Sequence, residues 1–225
     1  MRALIVADGD RPDRELLDRT WPGWSDVRLV IAADGGALAA DEAGLRVDLV
    51  VGDGDSLGEA GVADLRNRRV PVELSKRDKD ESDTELAVLA ALARGATAIT
   101  IVGGFGGRLD HELANLWLLA LPALGDRSVE LLDGRTRVTL VRAPGADGGA
   151  VSRALDGRAG DVVTLLPLGG DVEGIATTGL RYPLHDEPLR LGPARGLSNV
   201  RLGPTASVSV RSGTLIIVES PSLTA

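Results

Sequence analysis

The chain has 225 residues, of which 44% are hydrophobic, and its 25 basic and 33 acidic residues give a formal net charge of −8. The acidic balance and the few aromatic side chains (Trp 3, Tyr 1, Phe 1) argue against nucleic acid as a partner. The absence of cysteine excludes disulfides and thiolate metal sites, and two histidines are too few for a typical zinc centre. Any metal ion is therefore expected to have oxygen ligands.

Neither a membrane span nor a secretory signal is predicted. No apolar run reaches spanning length, and the N-terminal stretch 1–8 turns polar too early for a signal peptide. These features predict a cytoplasmic protein that does not contact a membrane.

Residues 1–135 alternate short apolar runs with helical patterns, which is typical of parallel strands joined by crossover helices. The predicted fold of this first domain is Rossmann-like α/β, with a mostly parallel sheet and helices on both faces. Strands are predicted at 2–7, 28–33, 47–51, 70–74, 98–103 and 128–133. Helices are predicted at 12–19, 36–43, 57–67, 83–94 and 110–121.

Residues 136–225 lack helical periodicity. Short apolar segments such as 137–141, 161–166, 206–210 and 214–218 are separated by Gly, Pro and Asp turns. This pattern predicts a second, all-β domain of antiparallel strands, and its size favours a small sandwich.

Five aspartates of the first domain stand where strands end in glycine turns or where helices begin: Asp34, Asp53, Asp55, Asp83 and Asp110. Ligands of such sheets gather beyond the carboxyl ends of the strands, where these loops should meet. Carboxylate oxygens suit Mg²⁺, so the set predicts a cation held against a polyphosphate.

Each motif also has a purely structural explanation. Asp53-Gly-Asp55-Ser56 is compatible with a turn followed by a capped helix, and Asp110 with a helix N-cap. Ser82 starts a capping box, which explains Glu85 but leaves Asp83 available for function.

The glycine-rich stretch Gly103–Gly107 runs from a predicted strand into a helix, where N–H groups and Arg108 can bind phosphate. Its spacing matches neither a Walker A loop nor the dinucleotide fingerprint. Lys79 indicates either a phosphate contact or a solvated charged loop. Farther along, His111 is given no catalytic role, and Trp117 is predicted to lie in the core.

Taken together, these motifs resemble thiamine pyrophosphokinase over nearly the whole chain. The matching stretches are 33–37, 51–56, 79–85 and 103–111 in the first domain, and 174–184 and 195–199 in the second. Two positions depart from the usual family pattern: Gly54 stands where a large apolar residue is common, and Tyr182 where Trp is frequent.

The resemblance implies a homodimer that transfers diphosphate from ATP to thiamine, releasing AMP, with the active site at the subunit interface. It implies that residues 1–135 bind ATP and Mg²⁺ and that residues 136–225 bind thiamine. The implied metal ligands are Asp53, Asp55 and Asp83. The implied nucleotide-binding residues are Asp34, Gly35, Lys79, Gly104, Gly106, Gly107 and Arg108. The implied thiamine-binding residues are Thr178, Tyr182, Ser198 and Asn199.

Catalysis is assigned to Asp55, Asp83 and Asp110, and either Asp83 or Asp110 could accept the proton of the thiamine hydroxyl. Two other functions stay open at this point. One is a related Mg²⁺-dependent enzyme that uses a nucleotide on the same scaffold. The other is a catalytically silent sensor of thiamine or a nucleotide.

Overall fold

The computed structural model describes residues 1–76, 78–144 and 148–222. The chain forms two compact units, Met1–Gly134 and Arg135–Ala225. Each unit has its own cluster of buried hydrophobic side chains, so each has a core of its own.

The first unit alternates strands and helices. The strands are β1 (Arg2–Val6), β2 (Leu29–Ala33), β3 (Leu49–Gly52), β4 (Val72–Leu74), β5 (Ala98–Val102) and β6 (Ser128–Leu132). The helices are α1 (Arg14–Thr20), α2 (Gly36–Glu42), α3 (Gly58–Asn67), α4 (Asp83–Ala93) and α5 (Leu109–Leu118), and Pro122–Leu124 form a short 3-10 helix. Every predicted element of this unit is confirmed, with its ends at most about three residues from the predicted ones.

The strands of the first unit are parallel and lie in the order β6-β5-β1-β2-β3-β4. Val6 of β1 pairs with Ala32 of β2 on one side and with Val102 of β5 on the other. Strands of Val, Ile, Leu and Ala are buried on both faces, as is typical of parallel sheets. Because all six strands point the same way, the loops after β1, β2, β3 and β5 emerge together at one edge.

Helix α2 begins at this edge and packs closely against the sheet. A Cβ atom on Gly36 would lie 2.0 Å from the carbonyl oxygen of Val6, so only glycine allows this approach. The helix buries Ala37, Ala39 and Ala40. Small side chains therefore hold the loop before α2 directly over the strand ends. Among the described residues, no helix is both long and apolar enough to cross a bilayer.

Helix α5 is apolar on two faces, which corrects the prediction for Trp117. Asn115 and Leu118 are its buried residues, whereas Trp117 is 58% exposed. Leu113 and Leu109 are also exposed, at 40% and 68%. The prediction of a core tryptophan was wrong because helical periodicity reveals an apolar face without showing which face meets the sheet.

The second unit is built of antiparallel strands, as predicted. They are β7 (Arg137–Ala143), β8 (Val151–Asp156), β9 (Val162–Pro167), β10 (Val172–Thr178), β11 (Glu187–Leu189), β12 (Asn199–Val200), β13 (Thr205–Val210) and β14 (Gly213–Ser220). Within this unit the strand orders are β12-β9-β14-β7 and β11-β10-β13-β8. One core cluster takes side chains from both sets, including Leu165 and Leu215 from the first and Ile175 and Val208 from the second.

A buried ion pair holds the segment around β12. Arg201 is 2% exposed and Glu219 is 4% exposed, and Nη2 of Arg201 donates to Oε1 of Glu219 over 3.1 Å. Arg137 donates from Nε to the other oxygen of Glu219 over 2.9 Å. The pair links Arg201, the residue after β12, to Glu219 in β14.

Candidate active site

Three aspartates from different loops converge at the carboxyl edge of the parallel strands. Asp34 follows β2, Asp53 follows β3, and Asp83 is the first residue of α4. One carboxylate oxygen of each lies within 4.8 Å of the others. Three oxygen donors at this spacing can hold a hard divalent cation such as Mg²⁺.

Asp34 is the buried member of the cluster, with 3% exposure. Its backbone is left-handed (φ 43°), a conformation that Asp and Asn adopt more readily than most residues. Oδ2 accepts a hydrogen bond from the N–H of Ser56 over 2.9 Å, whereas Oδ1 is buried and has no partner among the described residues. Burial raises the pKa of Asp34, and the neighbouring carboxylates of Asp83 and Asp53 raise it further. A bound cation would satisfy Oδ1 and offset this repulsion.

Asp83 is positioned by the start of α4. The N-cap Ser82 accepts a hydrogen bond from the N–H of Glu85 over 3.1 Å, which fixes the first turn. The carboxylate of Asp83 forms an ion pair with Nζ of Lys79, which also donates to Oγ of Ser75 over 2.7 Å. Lys79 therefore neutralises part of the negative charge of the cluster.

Asp55 lies outside the three-acid cluster, although one residue separates it from Asp53. Oδ1 of Asp53 accepts a hydrogen bond from the N–H of Asp55 over 3.0 Å, and Gly54 has a left-handed backbone (φ 81°). Asp55 is exposed and, together with Asp53, lines a second cavity of about 550 Å³. Of the two aspartates in this turn, Asp53 therefore belongs to the three-acid cluster and Asp55 does not.

The glycine-rich loop before α5 is held by side chains of that helix. Nδ2 of Asn115, which is buried, donates to the carbonyl of Gly104 over 2.9 Å. The N–H of Gly106 donates to Oε1 of Glu112 over 2.8 Å, so it is engaged within the protein. Gly107 is left-handed (φ 84°), and Arg108, the N-cap of α5, makes no side-chain capping bond. Apart from the N–H of His111, which donates to Oδ1 of Asp110 over 3.1 Å, the helix start is therefore open to an anion.

Arg108 and Asp110 form an exposed ion pair at this helix start. Nε and Nη2 of Arg108 donate to Oδ1 and Oδ2 of Asp110 over 3.1 and 2.6 Å. The hydrogen bonds lower the pKa of Asp110 and raise that of Arg108. A carboxylate with a lowered pKa is a weak proton acceptor at neutral pH. A phosphate that approaches Arg108 also has to compete with Asp110.

These elements border a cavity of about 540 Å³. Its lining includes Asp34, Asp83, Lys79, Gly104, Gly106, Gly107, Arg108 and His111. Gly35 lies beside it as the first residue before α2. Three further lining residues, Asp8, Asp10 and Asn115, were missed by the sequence analysis. A signal existed for the first two, because Asp8-Gly-Asp10 after β1 repeats the Asp-Gly-Asp pattern after β3.

In the second unit, two neighbouring segments carry the residues for which thiamine contacts are predicted. A β-bridge between Leu180 and Arg201 joins these segments. Oδ1 of Asn199 accepts a hydrogen bond from the N–H of Tyr182 over 3.0 Å, and its Nδ2 donates to the carbonyl of Tyr182 over 2.7 Å. The Tyr182 residue is 63% exposed. Asn199 therefore holds the backbone of Tyr182 through two hydrogen bonds, while Tyr182 itself is exposed.

Ser198 and Thr178 are exposed residues of the same two segments. Ser198 has a left-handed backbone (φ 57°), and its N–H donates to Oγ1 of Thr164 over 3.0 Å. The hydroxyl of Thr178 lies 2.7 Å from that of Ser207. The two segments thus present the exposed residues Thr178, Tyr182 and Ser198.

Comparison with known families assigns both units. The family model described as "Thiamin pyrophosphokinase, catalytic domain" matches residues 21–129, which lie in the first unit. The model described as "Thiamin pyrophosphokinase, vitamin B1 binding domain" matches residues 151–215, in the second unit.

Individual relatives match along the whole chain. The thiamine pyrophosphokinase of Bacillus subtilis (strain 168) is 27% identical over 217 residues, which cover 96% of this chain and 97% of that protein. A crystal structure of thiamine pyrophosphokinase from Bacillus subtilis has a TM-score of 0.84 at 25% identity and covers 99% of this chain and 100% of that one. The structure from Geobacillus thermodenitrificans has a TM-score of 0.78 at 27% identity, covering 100% and 99%. The yeast enzyme, at 16% identity, TM-score 0.76 and coverage of 97% and 86%, shares the fold. The chain belongs to the thiamine pyrophosphokinase family.

Proposed function

We propose that this chain transfers a diphosphate group from ATP to the hydroxyl group of thiamine, giving thiamine diphosphate and AMP. The observation that carries the proposal is the cluster of Asp34, Asp53 and Asp83 beside the glycine-rich loop, within the stretch matched by the catalytic-domain model. The thiamine hydroxyl oxygen forms a bond to the β-phosphorus, and the bond from that phosphorus to the oxygen shared with the α-phosphate breaks. Such a reaction depends on positioning and on neutralising phosphate charge.

Mg²⁺ suits the donor set. All three groups are carboxylates, and the buried Oδ1 of Asp34 has no partner among the residues described. When bound, Mg²⁺ would supply positive charge to the phosphate oxygens. Asp34, Asp53 and Asp83 would hold it, and the backbone N–H of Asp55 fixes the carboxylate of Asp53.

Residues 1–135 form the ATP-binding domain in this proposal, with a Rossmann-like arrangement. The strand order supports this arrangement. The chain runs from β1 to β2, β3 and β4 on one side of the sheet, and then to β5 and β6 on the other side of β1. The strand order therefore reverses between β1 and β5, as at the ligand-binding crevice of Rossmann-like sheets. Lys79, Gly104, Gly107 and the open start of α5 bind phosphate oxygens. Gly35 and Gly106 shape the walls, and Arg108 provides a positive charge at the rim.

Either Asp83 or Asp110 accepts the thiamine proton in this proposal. Both carboxylates are ion-paired, Asp83 with Lys79 and Asp110 with Arg108, and the second pair lowers the pKa of Asp110. Asp83 lies in the cluster where the phosphates are expected.

Residues 136–225 bind thiamine in this proposal, through the ring of Tyr182 and the hydroxyls of Ser198 and Thr178. Thiamine carries a permanent positive charge, which a cation–π contact stabilises by about 0.5–2 kcal/mol. Asn199 positions Tyr182 through its two backbone hydrogen bonds.

Replacing Tyr182 by alanine should therefore raise the KM for thiamine about tenfold while leaving the KM for ATP unchanged. Steady-state kinetics with each substrate varied in turn measure both constants. Tyr182→Phe keeps the ring and should behave like the wild type. An equal rise of both KM values would count against a thiamine contact at this position.

The chain is also proposed to act as a homodimer, with the active site at the subunit interface. Support comes from Leu109, Leu113 and Trp117, which form an exposed apolar stripe along α5. Light scattering coupled to size-exclusion chromatography should give the mass of two chains. Trp117→Glu should give the mass of one, and Leu38→Glu, at an exposed leucine of α2, should remain dimeric. A monomeric wild type, or a dimeric Trp117→Glu variant, would refute this arrangement.

The reaction itself is tested by incubating the protein with thiamine, ATP and Mg²⁺ and quantifying the products by chromatography. Thiamine diphosphate and AMP should form in equal amounts, and omission of thiamine should stop AMP release. Release of ADP or phosphate would indicate a different Mg²⁺-dependent enzyme. Binding of thiamine in calorimetry without product would indicate a sensor.

A further inference from the structure

The first turn of the sheet carries two carboxylates that none of the roles above uses. Asp8 and Asp10 follow β1 and line the same cavity as Asp34 and Asp83. The turn is fixed by backbone hydrogen bonds to the glycine-rich loop, from Gly9 to the carbonyl of Gly103 (2.8 Å) and from Asp10 to that of Phe105 (2.7 Å).

Two glycines leave room for these carboxylates. A Cβ atom on Gly35 would lie 2.3 Å from Oδ2 of Asp8, and one on Gly106 would lie 2.0 Å from Oδ1 of Asp10. Each carboxylate therefore lies flat against the backbone of a neighbouring loop. Asp8 is on the side of the three-acid cluster, and Asp10 is on the side of the glycine-rich loop.

Within the described part of the chain, neither carboxylate has a hydrogen-bonding or ion-pair partner of its own. The other acids near the cavity differ, since Asp83 pairs with Lys79 and Asp110 pairs with Arg108. Independent evidence for a ligand here is Oδ1 of Asp34, which is buried in the same lining and likewise unpartnered among the residues that the structure describes. Oδ1 of Asp34 is assigned to the cation, so the acceptors left for hydrogen-bond donors of the ligand are the exposed carboxylates of Asp8 and Asp10.

Other ligand groups fit Asp8 and Asp10 poorly. A phosphate would be repelled by both carboxylates. A cation is held better by the three clustered acids, and neither residue belongs to that group in the described ranges. The vitamin B1 match lies at residues 151–215, so thiamine is expected to contact the other unit.

We propose that Asp8 and Asp10 accept hydrogen bonds from the ribose hydroxyl groups of the nucleotide and thereby select a ribonucleoside triphosphate. This inference rests on the proposed use of ATP. Ionised carboxylates only accept hydrogen bonds, and hydroxyl groups are donors that leave the carboxylate charged. Acidic side chains recognise ribose hydroxyls in other parallel α/β nucleotide sites by the same chemistry.

The test compares ATP with 2′,3′-dideoxyATP, which lacks both hydroxyls, in the wild type and the Asp8→Ala/Asp10→Ala double variant. The wild type should prefer ATP in kcat/KM by about a hundredfold, because each hydrogen bond to a charged group contributes about tenfold. In the double variant this ratio should fall to nearly one, because the hydrogen bonds that favour ATP over dideoxyATP are lost. Asp126→Ala, which removes one negative charge at an exposed residue just before β6, should keep the wild-type ratio.

Several results would overturn the assignment. One is a wild type that uses both nucleotides equally, and another is a double variant that keeps the preference. A third is a rise in the KM for thiamine, or in the Mg²⁺ requirement, with the nucleotide ratio unchanged. If the wild type makes no thiamine diphosphate, the proposed function fails by itself. In that case the ratio of the Kd values for ATP and dideoxyATP, measured by calorimetry, tests the assignment without turnover.

Discussion

Replacing Asp53 by asparagine is expected to lower kcat about a thousandfold while leaving the fold intact. The substitution removes one of three charges that hold the cation, but an asparagine Oδ1 can still accept the hydrogen bond from the N–H of Asp55. The turn should therefore keep its shape while the charge that neutralises the phosphates is weakened.

Turnover and the rise in melting temperature on adding Mg²⁺ with a non-hydrolysable ATP analogue measure this effect. Asp53→Asn should lose most of both, whereas Asp126→Asn should retain both because it lies just before β6, at the amino end of the parallel strands. If Asp53→Asn turned over at the wild-type rate, Asp53 would have no part in holding the cation.

Replacing Asp34 by asparagine is expected to stabilise the metal-free protein by about 1–3 kcal/mol and to lower activity about a hundredfold. In the wild type, Oδ1 of Asp34 is buried without a partner among the described residues and faces the carboxylates of Asp53 and Asp83. Asparagine keeps an acceptor for Ser56, presents donors to the other acids, and adopts the left-handed backbone. Stability gained at the cost of activity is typical of a functional site.

The pH dependence of this gain has a definite sign. Burial raises the pKa of Asp34 in the folded state above its ordinary value of 3.8. Its protonated form therefore favours folding below the unfolded-state pKa, and that contribution is lost as the pH rises through the folded-state pKa. The advantage of Asp34→Asn should be largest at neutral pH and shrink towards pH 3.8. Thermal unfolding of both proteins without metal measures it.

Saturating Mg²⁺ should reverse the order, since only the wild type gains fully from binding the ion. An asparagine variant that melts below the wild type without metal would show that Oδ1 of Asp34 is satisfied in solution. A variant that keeps the full Mg²⁺ response would show that Asp34 is not a ligand.

The α/β unit was predictable because its strands are continuous runs of Val, Ile, Leu and Ala between helices with clear start signals. Ser82 illustrates this, since its hydroxyl caps α4 where the capping box predicts. The short strands β11 and β12 were not predicted, because their pairing depends on contacts between segments far apart in the chain.

The candidate site was predictable in part. Asp34, Asp53 and Asp83 meet because parallel strands bring their carboxyl ends to one edge. Which of Asp53 and Asp55 joins the cluster depends on the backbone of the turn at Gly54, which the residue types alone do not reveal. Asn115 was missed because its hydrogen bond to Gly104 joins a helix face to a loop, and only packing determines which face that is.

The central claim is that Asp34, Asp53 and Asp83 hold one divalent cation against the phosphates of ATP. Anomalous diffraction from crystals grown with Mn²⁺ and a non-hydrolysable ATP analogue tests it most directly. A single strong peak bounded by the three carboxylates and the analogue's phosphate oxygens is the expected result. An anomalous peak at another position, with no ion at these three carboxylates in a protein that converts thiamine to its diphosphate, would contradict it.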